Sequence, residues 1–191
     1  MKGITGFSTL VMLTMGASAF AAGPRTDQVV DRDVNQQQRI EQGLRSGQLN
    51  TREAGELERR EARIDQTEAR DLKDGKLSPQ EQARINRMQN RTSRNIARDK
   101  HNAVRGNPDS RSSERLQADV ARNVRQEQRI DQGIDNGTLT NREVGSLERG
   151  QAHVDQREAV AARDGHVGPR EQARVHAAEN HQSRRIHRRK S

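Results

Sequence analysis

The sequence contains no cysteine, no tryptophan and no tyrosine, and its two phenylalanines, Phe7 and Phe20, fall within the first 21 of 191 residues. Without cysteine there can be no disulfide, no thiolate nucleophile and no Cys-ligated metal site. Beyond residue 21 no Phe, Tyr or Trp remains, which argues against base-stacking nucleic-acid modules and aromatic cages. Proline is scarce, with four copies. Past the first 21 residues no apolar run is long enough to cross a bilayer. No nucleophile elbow, glycine-rich phosphate loop or i,i+4 histidine pair occurs, so the chain reads as non-enzymatic and without a resident organic cofactor.

The first 21 residues follow a different pattern. Lys2 opens a short positive region, Leu10-Val11-Met12-Leu13 lies in an apolar stretch, and Ala19-Phe20-Ala21 supplies small residues around a cleavage point. This is the pattern of a secretory signal peptide cut near Ala21, which predicts a periplasmic or secreted protein. Lys and Arg number 35 against 27 Asp and Glu, a net charge of +8. Such a basic balance usually points to nucleic acid, but export carries the chain away from it. The expected partners are a protein or an anionic envelope component, with peripheral membrane contact.

A tandem repeat organises the remainder. Val34-Asn35-Gln36-Gln37-Gln38-Arg39-Ile40-Glu41-Gln42-Gly43 returns 90 positions later as Val124-Arg125-Gln126-Glu127-Gln128-Arg129-Ile130-Asp131-Gln132-Gly133. The domain reading is a signal peptide over 1–21, a module over 22–105, a Gly/Pro/Ser linker over 106–113 and a second module over 114–191.

Each module is punctuated twice. Gly47 precedes Leu49-Asn50-Thr51-Arg52-Glu53, and Gly75 precedes Leu77-Ser78-Pro79-Gln80-Glu81; the second module repeats both at Gly137 and Gly165. A glycine that can close one helix is followed by Asn50, Ser78 or Thr140 as N-cap and by a Glu three residues on, the signature of a capping box. Pro79 and Pro169 suit the first helical position. At the fourth junction Gly168 has no side chain to cap with. The spacing predicts helices over 27–45, 51–72, 79–104, 114–135, 141–162 and 169–189. Their aliphatics recur sparsely, as at Ala54, Leu57, Ile64 and Leu72, with Glu61 and Glu68 interrupting the stripe. The fold class is all-α: two tandem homologous three-helix modules, thinly packed, in which dimerisation could cover leftover stripes as a homodimer.

Metal and anion sites were sought on this frame. Asp74 and Glu81, with Asp164 and Glu171 in the second copy, resemble the closing half of an EF-hand loop and are candidate divalent-cation ligands. The first and third positions of such a loop would be Arg70 and Leu72, so a capped turn is the competing reading. Five of six histidines lie in the second module; His176 and His187 share a helix face near Glu179 and are candidate transition-metal ligands. At the C-terminus Arg184, Arg185, Arg188, Arg189 and Lys190 form a candidate anion-binding cluster, or else a helix end that offsets its own dipole.

At Leu77-Ser78-Pro79-Gln80-Glu81 the chain resembles the periplasmic Spy/CpxP family, small helical proteins with a Leu-Thr-x-x-Gln signature at helix starts. Leu49–Glu53, Leu139–Glu143 and Val167–Glu171 echo it, with Glu in place of the family's Gln. It is also similar to secreted Gln/Arg-rich helical proteins of Gram-negative bacteria. The resemblance implies an envelope-stress or chaperone-like accessory protein. Divalent-metal binding through the junction loops or the second-module histidines is the alternative, and a structural spacer a third.

Overall fold

A computed structural model describes residues 26–191; the leader read at 1–21 lies outside the described residues. The described chain is all-α. Helices α1 (Thr26–Arg45), α2 (Thr51–Asp71), α3 (Pro79–His101), α4 (Arg111–Asp135), α5 (Asn141–Ala161) and α6 (Pro169–Lys190) follow one another, with one 3-10 turn, Leu72–Asp74, after α2.

The junctions form as the capping pattern requires. Asn50 Oδ1 accepts the Glu53 N–H at 2.8 Å, and Glu53 Oε2 accepts the Asn50 N–H at 3.0 Å. Ser78 with Glu81 and Thr140 with Glu143 make the same reciprocal pair. At Gly168 only half of it exists: Glu171 accepts the Gly168 N–H at 2.8 Å, and nothing returns the bond. Gly75 sits at φ 88°, the left-handed conformation that reverses the chain there. Two helix ends differ from expectation by more than one residue. Helix α3 stops at His101, where Asn102 leaves the helix to bond Glu53 Oε1 at 2.8 Å. Helix α4 begins earlier, at Arg111, because Ser110 caps it by accepting the Ser113 N–H at 3.2 Å.

Helices α2 and α5 form the antiparallel centre of the molecule. Gly55, near the start of α2, meets Ala162 just past the end of α5; Gly145, near the start of α5, meets Leu72 just past the end of α2. A Cβ on Gly55 would lie 2.6 Å from Ala162 Cβ, and one on Gly145 2.7 Å from Leu72 Cβ. The two glycines therefore let the central helices approach at both crossings. Helix α1 packs against α4, α3 lies over α1 and α2, and α6 lies over α4 and α5. These pairings relate the two repeats by a pseudo-two-fold axis.

Two apolar clusters cap the bundle, and each draws on both repeats. Ile40, Leu44, Leu57 and Ile96 join Leu116, Val120, Val167 and Val175 in one. Val29, Val30, Ile64, Leu72 and Ile85 join Ile130, Val144, Leu147 and Ile186 in the other. Burying an aliphatic side chain of this size stabilises by about 1.5–3 kcal/mol. The stripes thus cover one another within one chain, and the large apolar side chains left exposed among the described residues are Val104 and Val160. Between the caps lies a layer of a different kind, built on the middle turns of α1, α2, α4 and α5.

Candidate metal centre

The middle layer is acidic. Among the described residues twelve of the 27 acids are buried, and no Lys, Arg or His is buried with them. Nine of them form the middle layer on α1, α2, α4 and α5: Asp33, Glu58, Glu61, Asp65, Glu68, Glu127, Glu148, Asp155 and Glu158. On α2, residues 58, 61, 65 and 68 are spaced three, four and three apart, so they project from one helix face. That face points at α5, and the close crossing of the two helices brings the carboxylates together.

The pseudo-two-fold sorts these groups into two equivalent clusters. The acid-only cluster holds Asp33, Glu61, Asp65, Glu68, Glu127 and Glu148. Oxygens of Asp33, Asp65 and Glu68 lie within 4.8 Å of one another, as do those of Asp65, Glu127 and Glu148, so Asp65 belongs to both triplets. The amide-bearing cluster holds Glu58, Asp155 and Glu158, whose oxygens also lie within 4.8 Å of one another. Ninety positions from Asp33, Glu61 and Glu127 stand Asn123, Gln151 and Gln37. Each is the amide isostere, or the near-isostere, of its counterpart.

Those amides change the hydrogen bonding. Gln37 donates to Glu58 Oε2 at 2.9 Å, and Asn123 Nδ2 donates to Asp155 Oδ1 at 2.5 Å and to Glu158 Oε2 at 3.4 Å. Gln151 in turn donates to Asn123 Oδ1 at 2.6 Å. Every carboxylate of this cluster therefore has one oxygen satisfied and one without a partner. In the acid-only cluster Gln89 donates to Asp33 Oδ1 at 2.7 Å. Glu61, Glu68 and Glu148 have neither oxygen satisfied by a protein donor. Across the described residues, all twenty buried side-chain atoms without a partner are oxygens. What the interior lacks is positive charge or protons, not acceptors.

Electrostatics follow from this burial. Removal from water pushes the Asp33 carboxyl up to about 7, against the lowering effects of Gln89 and Arg32, and pushes Glu58 up to about 7 as well. Burial also raises Glu61, Asp65, Glu68, Glu127, Glu148, Asp155 and Glu158 well above the carboxylate range, and neighbouring carboxylates push in the same direction. Asp33 and Glu68, Glu58 and Glu158, and Asp65 and Asp155 stand close enough to share a proton. A layer like this does not add stability, since well-packed apolar side chains of similar volume would serve the fold as well or better. Its oxygen-only ligand set is of the kind that suits a hard cation, whose binding would displace the protons these carboxyls hold.

A third group lies on α4 and α6. Asp119, His176 and Glu179 present ligand atoms within 4.8 Å of one another; both acids are buried and the imidazole is exposed. His176 Nε2 is 3.0 Å from Asp119 Oδ1, and Arg122 donates to Glu179 Oε2 at 3.2 Å. Burial raises Asp119 to about 8 and Glu179 to about 7.

The residues singled out in the sequence fall elsewhere, with one exception. Asp74 accepts the Lys76 N–H at 2.9 Å, and Asp164 accepts the His166 N–H at 2.9 Å, each closing its own turn. Glu81 is held by the Ser78 N–H and hydroxyl, which lower its pKa, and Glu171 by the Gly168 N–H. His187 lies beside Arg129, Ser183, Arg184 and Arg188, apart from His176. In the C-terminal basic cluster, Arg185 donates to Ser146 and Gln182, Arg189 pairs with Glu143 at 3.4 Å, and Lys190 donates to the Arg129 carbonyl at 2.7 Å. Only His176, with Glu179 beside it, joins a ligand-like group. The sequence pattern marks none of the nine middle-layer acids as a ligand, Glu61 and Glu68 reading only as breaks in the apolar stripe, although 58, 65 and 68 repeat at 148, 155 and 158.

No family model, no curated protein and no solved structure matches this chain. Among the described residues no helix is long and apolar enough to cross a membrane.

Proposed function

We propose that the protein is a non-enzymatic cation-binding protein, whose acid-only cluster holds a pair of hard divalent cations bridged by Asp65. One observation carries the reading. Glu61, Glu68 and Glu148 are buried with both oxygens unpartnered, while amides bond one oxygen of each carboxylate in the equivalent cluster. The two overlapping triplets, Asp33–Asp65–Glu68 and Asp65–Glu127–Glu148, supply oxygen ligands for adjacent ions. Because every ligand is a carboxylate, the site favours calcium or manganese over softer metals. The leader read at 1–21 would place this binding in the periplasm, where it would serve envelope maintenance by buffering or carrying the ion.

The test is a titration of the chelator-stripped full chain. Calorimetry with Mn²⁺ and with Ca²⁺, followed by thermal melting, should show saturable uptake of a pair of ions and a higher melting temperature, because a ligand that binds only the folded state stabilises it. No heat and an unchanged melting curve with both ions would overturn the reading.

A further inference from the structure

The buried layer leaves open how an ion would reach it. Both ends of the bundle are sealed by aliphatics, and α3 and α6 close the sides. On the α3 side a buried neutral amide fills the place. There Gln89 bridges the Val29 carbonyl at 2.9 Å and Asp33 Oδ1 at 2.7 Å, with Val29 and Asn86 completing the place. Ninety positions on, Val29, Asn86 and Gln89 become Asp119, His176 and Glu179. The pseudo-symmetric plug has been replaced by two acids and an imidazole.

Three features make this group more than a cluster of acids. His176 keeps 47% of its side chain exposed while Asp119 is fully buried, so the group spans from solvent to interior. Asp119 Oδ2 and Glu179 Oε1 are buried and unpartnered. Inward, Glu158 feels the charges of both Glu179 and Asp119, and Asp155 beside it stands in hydrogen-bond reach of Asp65. Asp119 with Glu179, Glu158 with Asp155, and Asp65 thus belong to successive carboxylate groups between the exposed imidazole and the acid-only cluster. Arg122 offsets part of the charge at Glu179, which favours transient over permanent retention at the outer end.

We infer that Asp119, His176 and Glu179 form the loading site through which a divalent cation passes, by way of Glu158 and Asp155, to the acid-only cluster. This rests on the cation-binding reading above and sharpens it, because an imidazole in the first position is compatible with Mn²⁺ and poorly suited to Ca²⁺. His176 acts here as a ligand that captures and releases. It does not add to the final capacity of the core.

Loading kinetics separate the possibilities. Chelator-stripped full-length protein is mixed with Mn²⁺, and the loss of the free-ion electron paramagnetic resonance signal is followed for the wild type, His176→Ala and His166→Ala. His166 lies exposed in the α5–α6 turn and serves as the control. The expected result is at least a tenfold slower uptake by His176→Ala, an unchanged final stoichiometry, and wild-type behaviour for His166→Ala. Uptake by His176→Ala at the wild-type rate would overturn the inference alone, as would a lower stoichiometry at an unchanged rate. Failure of the wild type to take up any ion would overturn the cation-binding reading as well.

Discussion

The two clusters of the middle layer occupy equivalent places in the two repeats, yet one is written in acids and the other half in amides. Asp33, Glu61 and Glu127 face Asn123, Gln151 and Gln37 across the pseudo-two-fold. The amide-bearing cluster shows how this fold satisfies buried carboxylates from its own donors, with Gln37 on Glu58 and Asn123 on Asp155 and Glu158. The acid-only cluster keeps the same backbone frame and discards those donors. The difference teaches that leaving both oxygens of Glu61, Glu68 and Glu148 without a donor is not a necessity of the architecture, since in the other half each carboxylate has one oxygen bonded. Such groups call for a specific explanation, and the proposed cations supply one.

The largest effect is expected from erasing the difference. The triple variant Asp33→Asn, Glu61→Gln, Glu127→Gln gives the acid-only cluster the donors of its twin. It should lose Mn²⁺ binding by more than about 100-fold in calorimetry, comparable to the loss of several ligands. Its metal-free form should melt several degrees higher at pH 7, in line with the roughly 1–4 kcal/mol gained when buried charges are replaced. The reverse variant, Asn123→Asp, Gln151→Glu, Gln37→Glu, should raise the ion capacity of the chain and lower the melting temperature of the metal-free form, both readable in the same titration.

A smaller and graded effect concerns pH. The buried carboxyls have folded pKa values raised above their unfolded values, with Asp33 and Glu58 at about 7. The stability this provides is fully present below the unfolded carboxylate range, near pH 4, and is lost as pH rises through the folded values. The metal-free protein should therefore melt progressively lower between about pH 4 and pH 7. With Mn²⁺ present the trend should reverse, because the cation binds the deprotonated cluster and releases protons. Thermal melts at fixed ionic strength, with and without the ion, check both signs. In the triple amide variant the metal-free slope should flatten.

The smallest expected effects sit at the other asymmetry between the repeats, Ser78 against Gly168. Ser78→Ala removes a cap that accepts the Glu81 N–H and should cost about 1 kcal/mol. Gly168→Ser supplies the missing half of the box and should gain roughly a few tenths of a kcal/mol. Both are measurable by denaturant unfolding, and neither should alter ion binding.

The fold was largely legible because its signals are local. Glycine, acceptor and glutamate at each junction fix where helices stop and start, and Asn50, Ser78 and Thr140 do so in the structure. The candidate site was legible only in part. His176 with Glu179 stood out because five of the six histidines fall in the second module, but its partner Asp119 lies on another helix. Glu61 and Glu68 read as breaks in an apolar stripe, which is the usual meaning of acids on a helix face. Their true meaning depends on α5 arriving antiparallel with Glu148, Asp155 and Glu158 on its facing stripe. That arrival depends on Gly55 and Gly145 permitting close approach at opposite ends. Such a long-range pairing between repeats leaves no trace in the local spacing.

The central claim is tested most directly by anomalous scattering from crystals of the protein grown with Mn²⁺. The account predicts a pair of peaks flanking the Asp65 carboxylate, one shared with Asp33 and Glu68 and the other with Glu127 and Glu148. A well-ordered structure with no anomalous density among Asp33, Glu61, Asp65, Glu68, Glu127 and Glu148 would contradict it.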